Sequence, residues 1–259
     1  MDLHNKFREK TLNGERTLGT FHELGSEAAI ELLAYAGMDY VLIDTEHGPF
    51  DVETTSRYIR AAKLAGTTPL VRVKDGERNS VLKMLDVGAM GIVIPNVQSV
   101  EEVKKVVEYG KYMPVGNRGV APASGTHYWT QDYATQGLPH YFEHVNREQL
   151  IIPQCETVGA LEHIEEIVAI DGVDGIFVGP YDLSTAMGKP GQFDDQEVID
   201  AIQKVVDVCK AVGKFSIIYG TSVENAKQRF EQGYDSVTLT MDALHFSNAI
   251  KQVVEDVMG

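Results

Sequence analysis

One unit recurs along this chain of 259 residues and constrains it most: a short β-branched run, a turn, then an amphipathic helix. Strands are expected near 17–21 (TLGTF), 39–44 (DYVLID), 68–73 (TPLVRV), 90–95 (MGIVIP), 150–156 (LIIPQCE), 174–179 (DGIFVG), 214–219 (KFSIIY) and 234–240 (YDSVTLT). These runs are apolar almost without alternation, as parallel strands are when helices cover the sheet. The spacing between them predicts helices over 26–36, 51–65, 77–87, 99–109, 157–170, 195–212, 223–232 and 242–257. Ser26, Asp51, Ser99, Thr157 and Asp242 stand where N-caps are expected. Gly37, Gly66, Gly88, Gly110, Gly172, Gly213 and Gly233 follow helices, where a left-handed residue is usual. Eight such units in about 250 residues predict an α/β fold, a single (β/α)8 barrel domain over 1–259. An open doubly wound sheet is the competing architecture, but no Gly-rich dinucleotide turn follows the first strand, and Gly19 alone is not a fingerprint.

One connection is longer than the unit allows. Residues 110–148 form an insertion between the fourth and fifth strands, holding the single Trp (Trp129), several Tyr and three His. Long loops in compact domains are usually functional or mobile. Two readings stand side by side: a lid or interface element beside the active site, or a surface insertion packed on its own aromatics. A short helix is expected around 139–147.

Charge and composition exclude several classes of partner. Lys and Arg number 23 against 38 Asp and Glu, a net charge of −15. Phosphate backbones and anionic membrane surfaces both call for basic patches, so neither nucleic acid nor membrane is an expected partner. No apolar run reaches the roughly 18 residues of a membrane helix. The start, MDLHNKFREK, lacks the apolar stretch of a secretory signal. Two cysteines, Cys155 and Cys209, cannot build a disulfide framework and suit a reducing cytoplasm.

In a barrel of this kind chemistry sits at the C-terminal ends of the strands. Strand one offers only Thr20 and His22 there. Strand two ends in Asp44-Thr45-Glu46-His47-Gly48-Pro49, strand three in Arg72, and strand four in Pro95-Asn96. Strand five carries Gln154 and Glu156, and strand six runs into Gly179-Pro180-Tyr181-Asp182. Glu156 and Asp182 end neighbouring strands and can point into one cleft. Alternation puts Gln154 and Glu156 on one face and Cys155 under the helices. Two such carboxylates have three readings: ligands of a hard cation such as Mg²⁺ or Mn²⁺, a glycosidase acid–nucleophile pair, or structural groups. Arg72 and His47 beside them favour the cation, whose open positions would take a bidentate 2-oxo acid. Arg72 could then balance an enolate oxygen while His47 moves a proton. Arg72 could equally be half of a structural ion pair with Asp44. A glycosidase groove calls for several aromatics, and only Tyr181 and Tyr219 qualify. No His/Cys cluster has zinc spacing. Asp86, late in the third helix, reads by default as solvated.

The motifs Asp44-Thr45-Glu46-His47-Gly48-Pro49, Val71-Arg72-Val73, Leu85-Asp86-Val87-Gly88-Ala89, Asn117-Arg118-Gly119-Val120, Gln154-Cys155-Glu156-Thr157 and Val178-Gly179-Pro180-Tyr181-Asp182-Leu183-Ser184 resemble the HpcH/HpaI family of class II, metal-dependent pyruvate aldolases. The resemblance runs from about 15 to 255, in order and near the expected spacing. It implies retro-aldol cleavage of a 4-hydroxy-2-oxo acid to pyruvate and an aldehyde, with Glu156 and Asp182 on a divalent cation (Mg²⁺, Mn²⁺ or Co²⁺). It also implies Gln154 on the keto acid, Arg72 on the enolate, His47 as acid/base with water, and Asp44 beside the Arg. Asp86 of an adjacent subunit would raise the basicity of His47. The family's barrels are typically hexamers with the eighth helix swapped, which would give residues 242–257 an intermolecular role. Tyr181 stands where Ala or Ser is common and Tyr219 where an aliphatic residue is; Val120-Ala121-Pro122-Ala123-Ser124 replaces a Gly-containing stretch. Tyr181 and Tyr219 are therefore expected to shape the substrate pocket. Two alternatives are an acyl-CoA lyase of the malyl- or citramalyl-CoA type, for which no Arg/Lys cluster is visible, and a keto-acid-binding barrel without catalysis.

Overall fold

The computed structural model describes residues 3–259; Met1 and Asp2, the start of the polar N-terminal segment, lie outside it. Eight parallel strands close into a barrel in chain order, with the last paired to the first. They are β1 (Thr17–His22), β2 (Tyr40–Asp44), β3 (Thr68–Arg72), β4 (Gly91–Ile94), β5 (Leu150–Cys155), β6 (Gly175–Val178), β7 (Phe215–Gly220) and β8 (Ser236–Met241). The helices are α1 (Lys6–Leu12), α2 (Glu27–Tyr35), α3 (Val52–Ala65), α4 (Arg78–Asp86), α5 (Val100–Gly110), α6 (Asp132–Thr135), α7 (Leu138–Glu148), α8 (Val158–Glu162), α9 (Ile164–Ala169), α10 (Pro180–Ala186), α11 (Gln196–Ala211), α12 (Val223–Gln232) and α13 (Asp242–Met258). The barrel expected from the repeat is the one found.

Period-two alternation splits each strand between two cores. Phe21, Leu42, Leu70, Val93, Ile152, Phe177 and Ile217 fill the barrel. Val41, Ile43, Val71, Ile92, Ile151, Cys155, Val178 and Ile218 face outward against the helices. Phe7 of α1 plugs the bottom, edge-on to Tyr40 at 5.1 Å and to Phe215 at 5.3 Å. Gly19 is required opposite Tyr40, because a Cβ there would lie 2.4 Å from the tyrosine ring.

Ser26, Asp51, Ser99 and Thr157 accept the expected capping bonds. Asp242 does not cap α13; it is the helix's first residue, and its carboxylate turns back to β1. Gly110 is likewise not a left-handed stop but the last residue of α5, packed so that a Cβ would meet Ile151 at 2.6 Å. The helix expected over 157–170 breaks at His163, which ends α8 and opens α9. Three helices were not legible as elements, among them the four-residue α6. α1 is short and held by the Asn5 cap, while α10 starts at Pro180, a residue favoured at a first helical position.

The insertion forms a 3-10 turn (Ser124–Trp129), α6 and α7. It packs on its own aromatics: Tyr112, Tyr133, Tyr141 and Phe142 share a small core with Leu3 and Met90, against which Trp129 rests. Arg118 anchors it, donating to Gln149 at 2.6 Å and Asp86 at 2.8 Å. Among the described residues no helix is long and apolar enough to cross a membrane.

Candidate active site

A cleft of about 200 Å³ opens at the C-terminal mouth of the barrel, and Arg72 is its central charge. β2 and β3 run in register with Asp44 beside Arg72. The guanidinium therefore forks onto the carboxylate, Nε to Oδ1 at 2.9 Å and Nη2 to Oδ2 at 2.5 Å. Glu46 lies 3.3 Å from Nε, and the Phe21 ring faces the guanidinium at 4.6 Å. Burial alone would lower the Arg72 pKa; the charges of Asp44, Glu46 and Glu156 outweigh it and raise it. Burial likewise works against ionised Asp44, but the bond to Arg72 holds its carboxyl below the usual range. Both readings of Arg72 thus describe its place: it is ion-paired to Asp44, and it faces the cleft.

Two further carboxylates stand on the other side. Glu156, just past β5, accepts the Asn96 backbone N–H on Oε1 at 2.6 Å; Asn96 reaches it by taking the left-handed conformation, φ 52°, that Asn tolerates after β4. Its other oxygen accepts from the Gln154 amide. Burial raises the Glu156 carboxyl to about 6, and the charges of Asp182 and Glu46 push the same way. Asp182 sits on the first turn of α10, not on a strand end. It lines the first cleft and a second, of about 510 Å³, that also takes in Glu46, Asn96 and Glu156. His47, with its side chain 73% exposed, lines both.

These groups form a cradle. Gly179 lies between β6 and α10, and a Cβ there would stand 2.9 Å from Glu156 Oε2 and 3.0 Å from Gln154 Nε2. Gln154 Oε1 is buried with no hydrogen-bond partner among the described residues, an acceptor left in a polar site. Among the described residues no group of three or more His, Cys, Asp or Glu could hold a metal by itself. Glu156 and Asp182 would thus make a two-carboxylate oxygen site, a donor set suited to a hard cation that leaves positions for substrate.

The residues singled out in the sequence are brought together with one exception. Asp44, His47, Arg72, Gln154, Tyr181, Asp182 and Tyr219 line the first cleft, and Glu156 adjoins it. Asp86 lines neither, being held by Arg118 at the end of α4. Cys155 is buried under the helices. No residue of 110–148 lines either cleft, so within its own chain the insertion is not a lid.

The end of β1 differs from the sequence expectation. His22 points outward, buried against Phe50 and Tyr58, with Nδ1 2.7 Å from Asp242 Oδ2. Glu23 is the residue that enters the cleft, on the same face as Phe21, where alternation carried one step further would have put it. Burial, then its hydrogen bond to Asp44, raises the Glu23 carboxyl to about 7. The cleft also holds more aromatics than Tyr181 and Tyr219. Phe21 meets Phe177 at 6.1 Å and Tyr219 at 6.0 Å, and Tyr219 meets Tyr181 at 6.1 Å, a continuous row along one wall.

Residues 17–249 match the family described as HpcH/HpaI aldolase/citrate lyase. The chain is 33% identical over 251 residues to a 5-keto-4-deoxy-D-glucarate aldolase of Enterobacter sp. (strain 638), covering 97% of this chain and 96% of that one. It is 29% identical to a 2-keto-3-deoxy-L-rhamnonate aldolase of Escherichia coli (strain K12), covering 96% and 92%. Among solved structures, an HpcH/HpaI aldolase from Desulfitobacterium hafniense DCB-2 superposes with a TM-score of 0.88 at 29% identity, over 96% of this chain and 95% of that one. The citrate synthase SbnG superposes with a TM-score of 0.87 at 29% identity, over 99% and 98%.

Proposed function

The chain belongs to the HpcH/HpaI aldolase/citrate lyase family, and we propose that the barrel mouth is its catalytic site, working with a divalent cation held by Glu156 and Asp182. It is a pyruvate aldolase, a carbon–carbon lyase that splits a 4-hydroxy-2-oxo acid into pyruvate and an aldehyde. The site assignment is carried by one observation: a buried guanidinium, fixed by a bidentate carboxylate, faces the same cleft as His47, Gln154 and Asp182.

The donor set fits Mg²⁺, Mn²⁺ or Co²⁺, with the buried, unpartnered Gln154 Oε1 and the space left by Gly179 supporting a bound group there. Such a cation would supply Lewis-acid polarisation of the 2-oxo group. The remaining work falls to the chain. Gln154 orients the keto acid. His47 takes the proton of the C4 hydroxyl; the C3–C4 bond breaks, the aldehyde leaves, and the bonding pair stays on the pyruvate half as its enolate. Arg72 holds the charge on the enolate oxygen. Asp44 occupies Nε and Nη2 and leaves Nη1 to donate, so the cation is preorganised rather than recruited. Protonation at C3 gives pyruvate.

Asp86 acts, in this reading, on the His47 of an adjacent copy, which makes the working unit a homo-oligomer, a hexamer by family resemblance. The C-terminal helix supports this. Only Asp242 of the 17 residues of α13 is buried, while Phe246, Ile250, Val253, Val254 and Val257 lie exposed at helical spacing on one face. A swap of α13 between partners would cover that face. Two buried, unpaired cysteines suit action in the cytoplasm.

Incubation with racemic 4-hydroxy-2-oxo acids, with and without EDTA, tests the reading. Pyruvate release that stops on chelation and returns with Mg²⁺ or Mn²⁺ supports it. Release untouched by chelation would remove the cation from the account.

A further inference from the structure

Glu23 follows β1 and lines the first cleft together with Phe21. Its main chain is fixed where β1 meets α13. The Glu23 N–H donates to Asp242 Oδ1 at 2.8 Å, the Leu24 N–H to the same oxygen at 3.2 Å, and buried His22 holds Oδ2 at 2.7 Å. From this anchor the Glu23 carboxyl hydrogen-bonds Asp44. Two carboxyl groups can share such a bond only if one of them keeps its proton. Asp44 already accepts two guanidinium N–H groups from Arg72 and, at 3.0 Å, the Glu46 backbone N–H. Donors on both of its oxygens make it the anion of the two. Among the described residues the Glu23 side chain has no hydrogen-bond partner besides Asp44, so Glu23 carries the proton and donates it to the bond. Burial and then Asp44 raise the Glu23 carboxyl to about 7; Asp242 pushes the same way and Arg72 against it. Farther round the cleft stand His47, Asp182 and the two tyrosines.

We propose that Glu23 is a positioning residue for enolate formation: in its neutral form it braces Asp44 against Arg72 and adds no negative charge to the cleft. The inference rests on the aldolase reading and names a further residue that this reading needs. Arg72 is already opposed by two carboxylates, Asp44 and, at 3.3 Å, Glu46. Loss of the Glu23 proton would take a donor from Asp44 and set a third carboxylate beside it. The two anions would repel, the fork on Arg72 would loosen, and the added charge would oppose the enolate oxygen. The protonated form is the active one, so activity is full at low pH and is lost as pH rises through about 7. Deprotonation of His47 works in the opposite direction, since it frees a base. A Gln at position 23 donates to Asp44 through its amide at every pH, and an Ala donates nothing.

The test follows deuterium exchange into the pyruvate methyl group from about pH 6 to about pH 9, on enzyme saturated with Mg²⁺, for the wild type, Glu23→Gln and Glu23→Ala. Rates are taken per folded enzyme by circular dichroism, and the pH profile is read within each variant. Wild-type exchange should fall about tenfold per pH unit on the alkaline side. Glu23→Gln should stay within about threefold of the wild-type maximum and lack the alkaline fall; Glu23→Ala should be about tenfold slower throughout and lack it too. An alkaline fall that persists in Glu23→Gln belongs to another group and overturns the proposal. So does a wild type without the fall, a Glu23→Ala enzyme as fast as the wild type, or a Glu23→Gln enzyme no faster than Glu23→Ala. Absence of exchange in the wild type at every pH overturns the aldolase site itself, and the inference with it.

Discussion

Arg72 is the arginine of the cleft, and its guanidinium is held on several sides. Its fork on Asp44 uses two of its donors, and the Phe21 ring covers one side. A donor fixed in this way stabilises an oxyanion without reorganising, so Arg72→Ala should slow deuterium exchange into the pyruvate methyl group by about 10²–10³-fold. Near-normal exchange, followed by proton NMR, would refute an enolate role. His47 is exposed at the rim and holds no bond that the fold needs. Its replacement by Ala should slow C–C cleavage about 100-fold or more while leaving Mn²⁺ affinity intact by calorimetry; lost Mn²⁺ binding would make it a ligand instead. Arg72, Glu156 and Asp182 were legible as places because each polar group interrupts or ends an apolar run. Glu23 was not, because His22 drew attention at the ragged end of β1. Only the inward or outward direction of the side chain, which closure of the barrel decides, separates the two.

At the scale of elements, the junction of β6 with α10 does the positioning. Pro180 starts the helix directly after Gly179, so Asp182 comes from a helix N-terminal turn and Glu156 from beyond a strand. The sequence suggests a strand end at Gly179-Pro180-Tyr181-Asp182, whereas Asp182 belongs to a helix turn; Pro after a strand is the signal for it. Gly179 has an ordinary backbone conformation, φ −97°, so Ala is allowed there by the chain, and its nearest obstacles are Glu156 and Gln154. Gly179→Ala should therefore fold normally and weaken Mn²⁺ binding about tenfold, since displaced ligands and their partners commonly cost that much. Unchanged affinity would show that Glu156 is free to yield and is not held as a ligand. The split of the 157–170 helix at His163 and the seven-residue α1 were hidden for a simpler reason. Periodicity over so few residues does not distinguish a helix from a loop.

For the whole molecule, the eightfold repeat implied a parallel sheet covered on both faces, and the lack of a Gly-rich turn after the first strand favoured the closed barrel over an open doubly wound sheet. What surrounds the barrel was less legible. The insertion packs on its own rings by contacts distant in sequence, and the apolar stripe of α13 has no cover among the described residues. That stripe predicts a homo-oligomer. Sedimentation should give a mass several times that of the 28.6 kDa chain, and Phe246→Glu with Val254→Glu should lower it; a wild-type monomer at micromolar concentration would contradict this. The central claim is that a divalent ion on Glu156 and Asp182, together with Arg72, makes the pyruvate enolate attainable. Its most direct test is deuterium exchange into the methyl group of pyruvate by the whole enzyme, measured after exhaustive chelation and again after Mn²⁺ is restored. Exchange that disappears with the ion and returns with it is the predicted result; exchange that continues unchanged in the stripped enzyme would contradict the account.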